Sequence, residues 1–392
     1  MSGVDEVGEG MGNLTQRSAR AAAIERNLVE SDISIDAHVR RSQLALANTL
    51  RERVKIYLDT NYWVGLRRAD AGLGSAHMVE LLARLRDLVA RGRAVCPLSE
   101  SSFIELLNQT DAISRRATAA IMDSLSLGVA LIEPHTRMGT EVSYFFHSKG
   151  SRGELYPLED LVWCKAAFIL GFTHLKAELG NDQLMLAIQK GCFDELWDAQ
   201  FIELVDRMGD QIPSMGAAYT AMAGRLNASN AIYAHEIKSF QQAYRAEAFG
   251  VADLFDDVIV QSICAIGVRA GALAANVDYV PQPDTLGIAK QLIGTALAKD
   301  KARDILRSLH IQASLHAATR WDKQRKLDGH DILDMAHACA GLAYCDYFFT
   351  EKPLADQVTQ NHLRLDQRYD CTVSGTPEQA VTVAKQLAAT VL

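Results

Sequence analysis

Between residues 54 and 135 the chain alternates short apolar, β-branched runs with longer stretches whose apolar positions recur every three or four residues. Val54-Lys55-Ile56-Tyr57-Leu58 ends at Asp59 and reads as a buried strand. A helix is predicted from about Asn61, and an amphipathic helix over 77–91. Ala94-Val95-Cys96-Pro97-Leu98, set off by Gly92, reads as a second strand. Ser99 then caps a helix carrying Phe103, Ile104, Leu106 and Leu107, with Ser102 at capping distance. Val129-Ala130-Leu131-Ile132 is a third strand, closed by Pro134. This rhythm predicts a mainly parallel sheet covered by helices, an α/β fold.

From 136 to 324 the rhythm disappears. The pattern is helical over 158–179, 182–197, 217–250, 251–274 and 286–318, with Pro281 and Pro283 marking a loop. We read this block as an inserted all-α bundle. The α/β rhythm returns with a helix over 331–344 and a strand over 347–350. A last strand over 371–373 and a terminal helix over 378–391, begun at Thr376-Pro377, complete it. At the other end, Gly-rich polar residues 1–13 predict a mobile start. Residues 14–53 predict two helices broken near Ser31-Asp32. The expected organisation is an N-terminal helical arm (1–53), an α/β domain in two parts (54–135 and 325–392), and the insertion (136–324).

Composition narrows the function classes. Of 392 residues, 48% are hydrophobic, enough for a sizeable core. The start lacks a basic stretch followed by an apolar run, so no signal peptide is expected. The most apolar segment, 258–277, contains Arg269 and reads as a buried helix rather than a membrane span. Seven cysteines without a C-x-x-C pair fit a reducing compartment and suggest neither a disulfide framework nor a zinc site. A cytoplasmic protein with no membrane partner is expected. The net charge of −8 excludes a generally basic nucleic-acid coat, while leaving room for a local basic groove.

The candidate chemistry is carboxylate chemistry. Asp59 ends a buried strand where a helix begins, the crevice in which open parallel sheets bind ligands; its plain alternative is a helix N-cap. Glu105 lies among apolar helix neighbours, where a carboxylate is costly unless paired or bound to metal. Asp331 and Asp334 stand three apart on one helix and repel each other unless solvent or a cation intervenes. A helix-start role suits Asp331 better than Asp334. Glu351 follows the strand over 347–350, in the same layer as Asp59.

Three pieces share an order that resembles the PIN-domain nucleases: IYLDTN (56–61), Ser-x-x-x-x-x-Glu-Leu (99–106), and Asp-x-x-Asp-x-x-His-Ala leading to a strand that ends in Thr (331–350). The resemblance spans about 150 residues in two blocks. It implies a three-layer α/β/α sandwich and an endoribonuclease that hydrolyses RNA phosphodiesters with Mg²⁺ or Mn²⁺. Asp59 and Glu105 would be the first two acids and Asp331 or Asp334 the third. Thr60, Asn61 and Thr350 would hydrogen-bond the acids or the metal's water. Hard divalent cations favour such oxygen donors. One departure concerns the acid that the family places two residues after the Thr: here that position is Lys352, and Glu351 is the candidate replacement. Arg320, Lys323, Arg325 and Lys326 would clamp phosphate, with Trp321 available to stack a base, against the plain reading of a solvated helix end.

Two other readings stay open. His330, Asp334 and His337 share a helix face, and the His330-Asp331 pair resembles HD-type metal phosphohydrolases. A catalytically weak or inactive PIN-like scaffold would instead bind protein or RNA through the insertion. The insertion is expected to shape substrate choice or to bind a partner, either another protein or a second copy of the chain.

Overall fold

The computed structural model describes residues 22–150, 155–175, 180–208, 216–274 and 282–389. The expectations for residues 1–13, and for the helix start before residue 22, lie outside the described residues.

The chain is mostly helical around a small parallel sheet. Two helices, α1 (22–29) and α2 (Ile35–Leu50), lead into β1 (Val54–Leu58), α3 (Thr60–Asp70), α4 (Ala76–Ala90) and β2 (Ala94–Val95). Next come α5 (Glu100–Leu107), α6 (Ala112–Ser126), β3 (Val129–Leu131), α7 (Pro134–Gly150) and β4 (Trp163–Lys165). Six helices follow: α8 (Asp182–Trp197), α9 (Phe201–Met208), α10 (Gly216–Tyr233), α11 (Phe240–Gly250), α12 (Asp256–Arg269) and α13 (Pro283–Ala298). The chain then runs through α14 (Arg307–Trp321), α15 (Gly329–Tyr344), β5 (Tyr347–Phe349), α16 (Lys352–Val358), α17 (Leu365–Arg368), β6 (Thr372–Ser374) and α18 (Pro377–Ala389).

Four strands form the sheet in the order β2-β1-β5-β6, every pair parallel. β1 and β5 are therefore central although almost 300 positions separate them. Both faces of these strands are buried, as parallel sheets require. Ile56, Leu58 and Phe349 enter one core with Trp63, Leu66, Leu85 and Val381. Tyr57, Val95 and Phe348 enter the other with Leu342, Leu315 and Leu50. Period-two alternation in such short strands assigns each side chain to its face.

Several expectations needed correcting. The third strand, β3, pairs antiparallel with β4 and meets the main sheet only through the parallel bridge Leu98↔Ala130. β4 lies inside the predicted helix of 158–179. Trp163-Cys164-Lys165 takes strand geometry because β3 supplies a hydrogen-bonding partner, a non-local contact that overrides local propensity. The predicted helix of 217–250 is two helices, with Ser239 capping α11 through the amide of Gln242. The predicted helix of 286–318 is also two, separated by a turn in which Asp300 has φ +57°. The Ser31-Asp32 break and the Ser99–Ser102 capping box are present.

Residues 136–324 feed three cores. Phe145, Phe255, Ile259, Ile293 and Leu309 form a cluster of their own. Phe168, Phe193 and Phe201 join the core beneath α3 and α4. Ile311 and Leu315 pack against α15. Two buried polar ties fix these connections. Glu141 of α7, fully buried, accepts from the Ser308 amide at 3.0 Å and from Tyr344 Oη at 2.7 Å. His38 of α2 meets Asp194 of α8 at 2.6 Å.

Gly341 sets the height of α15 above the sheet. A Cβ there would come within 2.9 Å of the Phe348 ring and 3.0 Å of the Tyr57 ring. Gly341→Ala is expected to destabilise the protein by about 1–3 kcal/mol through overpacking, despite the better helix propensity of Ala. Urea denaturation checks this; a neutral or stabilising result would show that the helix can lift at no cost.

Candidate functional site at the carboxyl edge of the sheet

The register Leu58↔Phe349 puts the residues just beyond β1 and β5, Asp59 and Thr350, side by side. The Asp59 amide continues the ladder to Phe349 O at 3.0 Å, and the Thr350 amide continues it to Ser374 O at 3.0 Å. Thr350 Oγ1 donates to Asp59 Oδ2 at 2.7 Å. Asp59 Oδ1 accepts from the Asn61 amide at 3.1 Å. Asp59 is thus both the N-cap of α3 and a carboxylate held at 4% exposure at the sheet's edge. The capping role does not use up the group, since each carboxylate oxygen has further acceptor capacity.

Glu105 comes from α5, which follows β2. Its Oε2 accepts from Thr60 Oγ1 and from His337 Nε2, the latter at 2.7 Å. Oε1 makes no hydrogen bond among the described residues. Burial pulls the Glu105 carboxyl upward, but the bonds from His337 and Thr60 prevail and hold it below its ordinary value. His337 is fully buried, and its Nδ1 lies 2.7 Å from Tyr57 Oη, which lies 2.5 Å from Ser99 Oγ. Burial alone would lower the His337 pKa. The oxygens of Tyr57, Glu105 and Asp59 outweigh it and push the imidazole well above its ordinary range. The imidazolium then donates from both nitrogens, and the Tyr57 hydroxyl, accepting from Nδ1, donates its hydrogen bond to Ser99 Oγ. This relay ties Glu105 to the sheet. Both ring nitrogens of His337 are occupied, so it has no lone pair for a metal in this arrangement. That bears directly on the face shared by His330, Asp334 and His337, where His330 is exposed.

The two candidates for the third acid differ sharply. Asp331 accepts from the Asp328 amide at 2.8 Å in a capping box and pairs with Arg325 at 2.9 Å. Asp334, one turn further along α15, has no hydrogen bond and no ion pair among the described residues. Burial, then Asp59, Asp331 and Glu105, push its carboxyl up to about 7 against the opposing pull of His337. Asp59, Glu105 and Asp334 therefore share one electrostatic neighbourhood. Among the described residues, however, no three Asp, Glu, His or Cys side chains are already arranged as a set that could hold a metal ion.

Around this cluster, Glu351 is the N-cap residue of α16, but its side chain makes no capping bond to the helix and instead accepts from Asn61 Nδ2 at 2.5 Å. Lys352, where the PIN pattern has an acid, turns to Asp356 at 2.8 Å. Of the four cations before α15, Arg320 pairs with Glu247 at 2.5 Å and Arg325 with Asp331. Only Lys323 and Lys326 lack a carboxylate partner among the described residues. Trp321 is 44% exposed and packs edge-on to His362, centroids 5.4 Å apart.

Sequence reasoning missed the Tyr57–His337 relay. The available signal was a histidine on the apolar face of the 331–344 helix. No described helix is long and apolar enough to cross a membrane. Comparisons with family models, curated proteins and solved structures find no match to the chain.

Proposed function

We propose that the chain is a PIN-like, three-layer α/β/α endoribonuclease that uses Mg²⁺ or Mn²⁺ held by Asp59, Glu105 and Asp334. The observation that carries this reading is Asp334: a largely buried carboxylate without a hydrogen-bond or ion-pair partner, set beside two further acids. Leaving such a charge uncompensated is costly, and a divalent cation relieves it. The donor chemistry fits a hard ion, since the three acids offer carboxylate oxygens and both His337 nitrogens are engaged. A bound ion would supply Lewis acidity and charge neutralisation at the scissile phosphate.

The chain's own residues have separate tasks. Thr350 and the Asn61 amide orient Asp59. His337 and Thr60 hold Glu105 through Oε2, which leaves Oε1 without a hydrogen bond among the described residues. Asn61 tethers Glu351 at the rim. Lys323 and Lys326, which precede α15 and lack a carboxylate partner among the described residues, would position the RNA backbone without reading bases. The absence of a ready-made ligand set among the described residues, with Lys352 at the family's acid position, favours one second reading, a PIN-like scaffold of weak or no activity.

The deciding experiment strips the full chain with EDTA and restores Mg²⁺ or Mn²⁺ in the presence of single-stranded and hairpin RNAs. Internal cleavage that appears only with the ion supports the nuclease. Intact RNA under both ions, with no saturable Mn²⁺ binding by electron paramagnetic resonance, leaves the scaffold.

A further inference from the structure

A second candidate site shares no residue with the acid cluster. Helices α11, α13 and α14 and the turn leading into α17 line a half-open cavity of about 730 Å³. Five cations line it, Arg245, Lys299, Arg303, Arg364 and Arg368, and no Asp or Glu does. In a chain of net charge −8, five positive charges on one concave surface are not background. Its volume suits a small ligand.

The cations form two groups. Arg303 and Arg368 are braced from behind. Arg368 reaches Asp300 at 2.6 Å and Asp304 at 2.9 Å, while Arg303 donates to Leu297 O at 2.9 Å and lies 4.8 Å over the Tyr244 ring. Arg245, Lys299 and Arg364 have no carboxylate partner among the described residues. Arg364 is also held at φ +46°, ψ +43°, a left-handed conformation that a non-glycine residue rarely adopts. That turn carries His362 and Arg364 to the same rim.

The remaining lining is aromatic and neutral. Phe240 meets His362 edge-on, centroids 4.9 Å apart, and Phe249 lines the wall beneath Arg245. His310, 4% exposed, is bonded through Nδ1 to Tyr369 Oη at 2.7 Å. Burial, with Arg303 and Arg368 nearby, lowers its pKa to about 3, so it stays neutral. Its Nε2 has no hydrogen bond among the described residues and is available to a hydroxyl or ring nitrogen of a ligand. Unpaired cations at a rim, aromatic faces and a neutral polar floor are complementary to one chemical class.

We propose that this cavity binds a free nucleoside di- or triphosphate, its phosphates on Arg245, Lys299 and Arg364 and its base against the Phe240–His362 wall. The cations match a polyphosphate's charge, the aromatic faces match a base, and the volume of the half-open cavity suits one nucleotide. The site does not depend on the nuclease reading.

The test is calorimetry and thermal-shift titration of the full chain in EDTA with ATP, GTP, ADP, AMP, inorganic triphosphate and a single-stranded RNA oligonucleotide. The expected result is saturable binding of a nucleoside di- or triphosphate, weakened at least about tenfold in Lys299→Glu and in Arg364→Gly. Arg364→Gly removes the charge and suits the left-handed backbone, so it keeps the fold. An unchanged unliganded melting temperature in both variants certifies that. No binding of any nucleotide at millimolar concentration overturns the proposal, as does equal binding by folded variants. Inorganic triphosphate binding as tightly as ATP removes the nucleoside from it. RNA binding that Lys299→Glu abolishes, without nucleotide binding, assigns the cavity to RNA instead.

Discussion

Asp59→Asn is expected to lower RNA cleavage by roughly 10³-fold while leaving the protein folded. The substitution is nearly isosteric. Its carbonyl oxygen still accepts from the Asn61 amide, so the cap on α3 survives. Its amide nitrogen meets the Thr350 hydroxyl, which rotates to accept instead of donate. What is lost is one negative charge at the point where β1 and β5 end together. A nuclease that relies on that charge loses its ion; a scaffold does not notice. Single-turnover cleavage in saturating Mn²⁺ and the thermal melt together read the outcome. Wild-type rates from a folded Asp59→Asn protein would remove Asp59 from the chemistry and the nuclease proposal with it.

The elements that frame this site were legible because their signals are local. β1, β2 and β5 belong to short apolar runs with sharp ends, marked by Asp59, Ser99 and Thr350. The plain reading of Asp59 as an N-cap holds, and the cap leaves the carboxylate acceptor capacity for the proposed role. Local signals failed where a distant partner decides. Trp163–Lys165 is a strand because β3 lies beside it. The break before α11 contains no glycine or proline, only the Ser239 cap. The spacing of Asp331 and Asp334 alone does not separate the two. Asp328, the N-cap of α15, does: it recruits Asp331 into a capping box, while Asp334 feels the charges of Asp59 and Glu105. The cationic cavity draws its lining from positions 240 to 368 and has no sequence motif.

Asp334→Asn is expected to raise the stability of the metal-free protein at pH 8 by about 1–2 kcal/mol and, once Mn²⁺ is restored, to abolish cleavage. The sign follows from the direction of the shift. The carboxyl is raised to about 7 in the folded chain, from an ordinary value of about 4 in the unfolded one. Below about pH 4 both states are protonated and the group costs nothing. As pH rises toward 7 the unfolded chain releases its proton while the folded chain retains it, so stability falls across that window and is flat above it. Three units would amount to about 4 kcal/mol; partial exposure to solvent reduces this to the smaller figure. The variant carries no such penalty, so its advantage should shrink to nothing as pH falls from 8 to about 4. Divalent ion should reverse the order, since Mn²⁺ binding raises the wild-type melting temperature and leaves the variant's unmoved. Urea denaturation in EDTA at pH 8 and pH 5, repeated with Mn²⁺, reads all of this. A variant less stable than wild type at pH 8 without metal would mean that Asp334 already has a favourable partner. The cation would then have no charge stress to relieve, and the acids at the sheet edge would need another explanation.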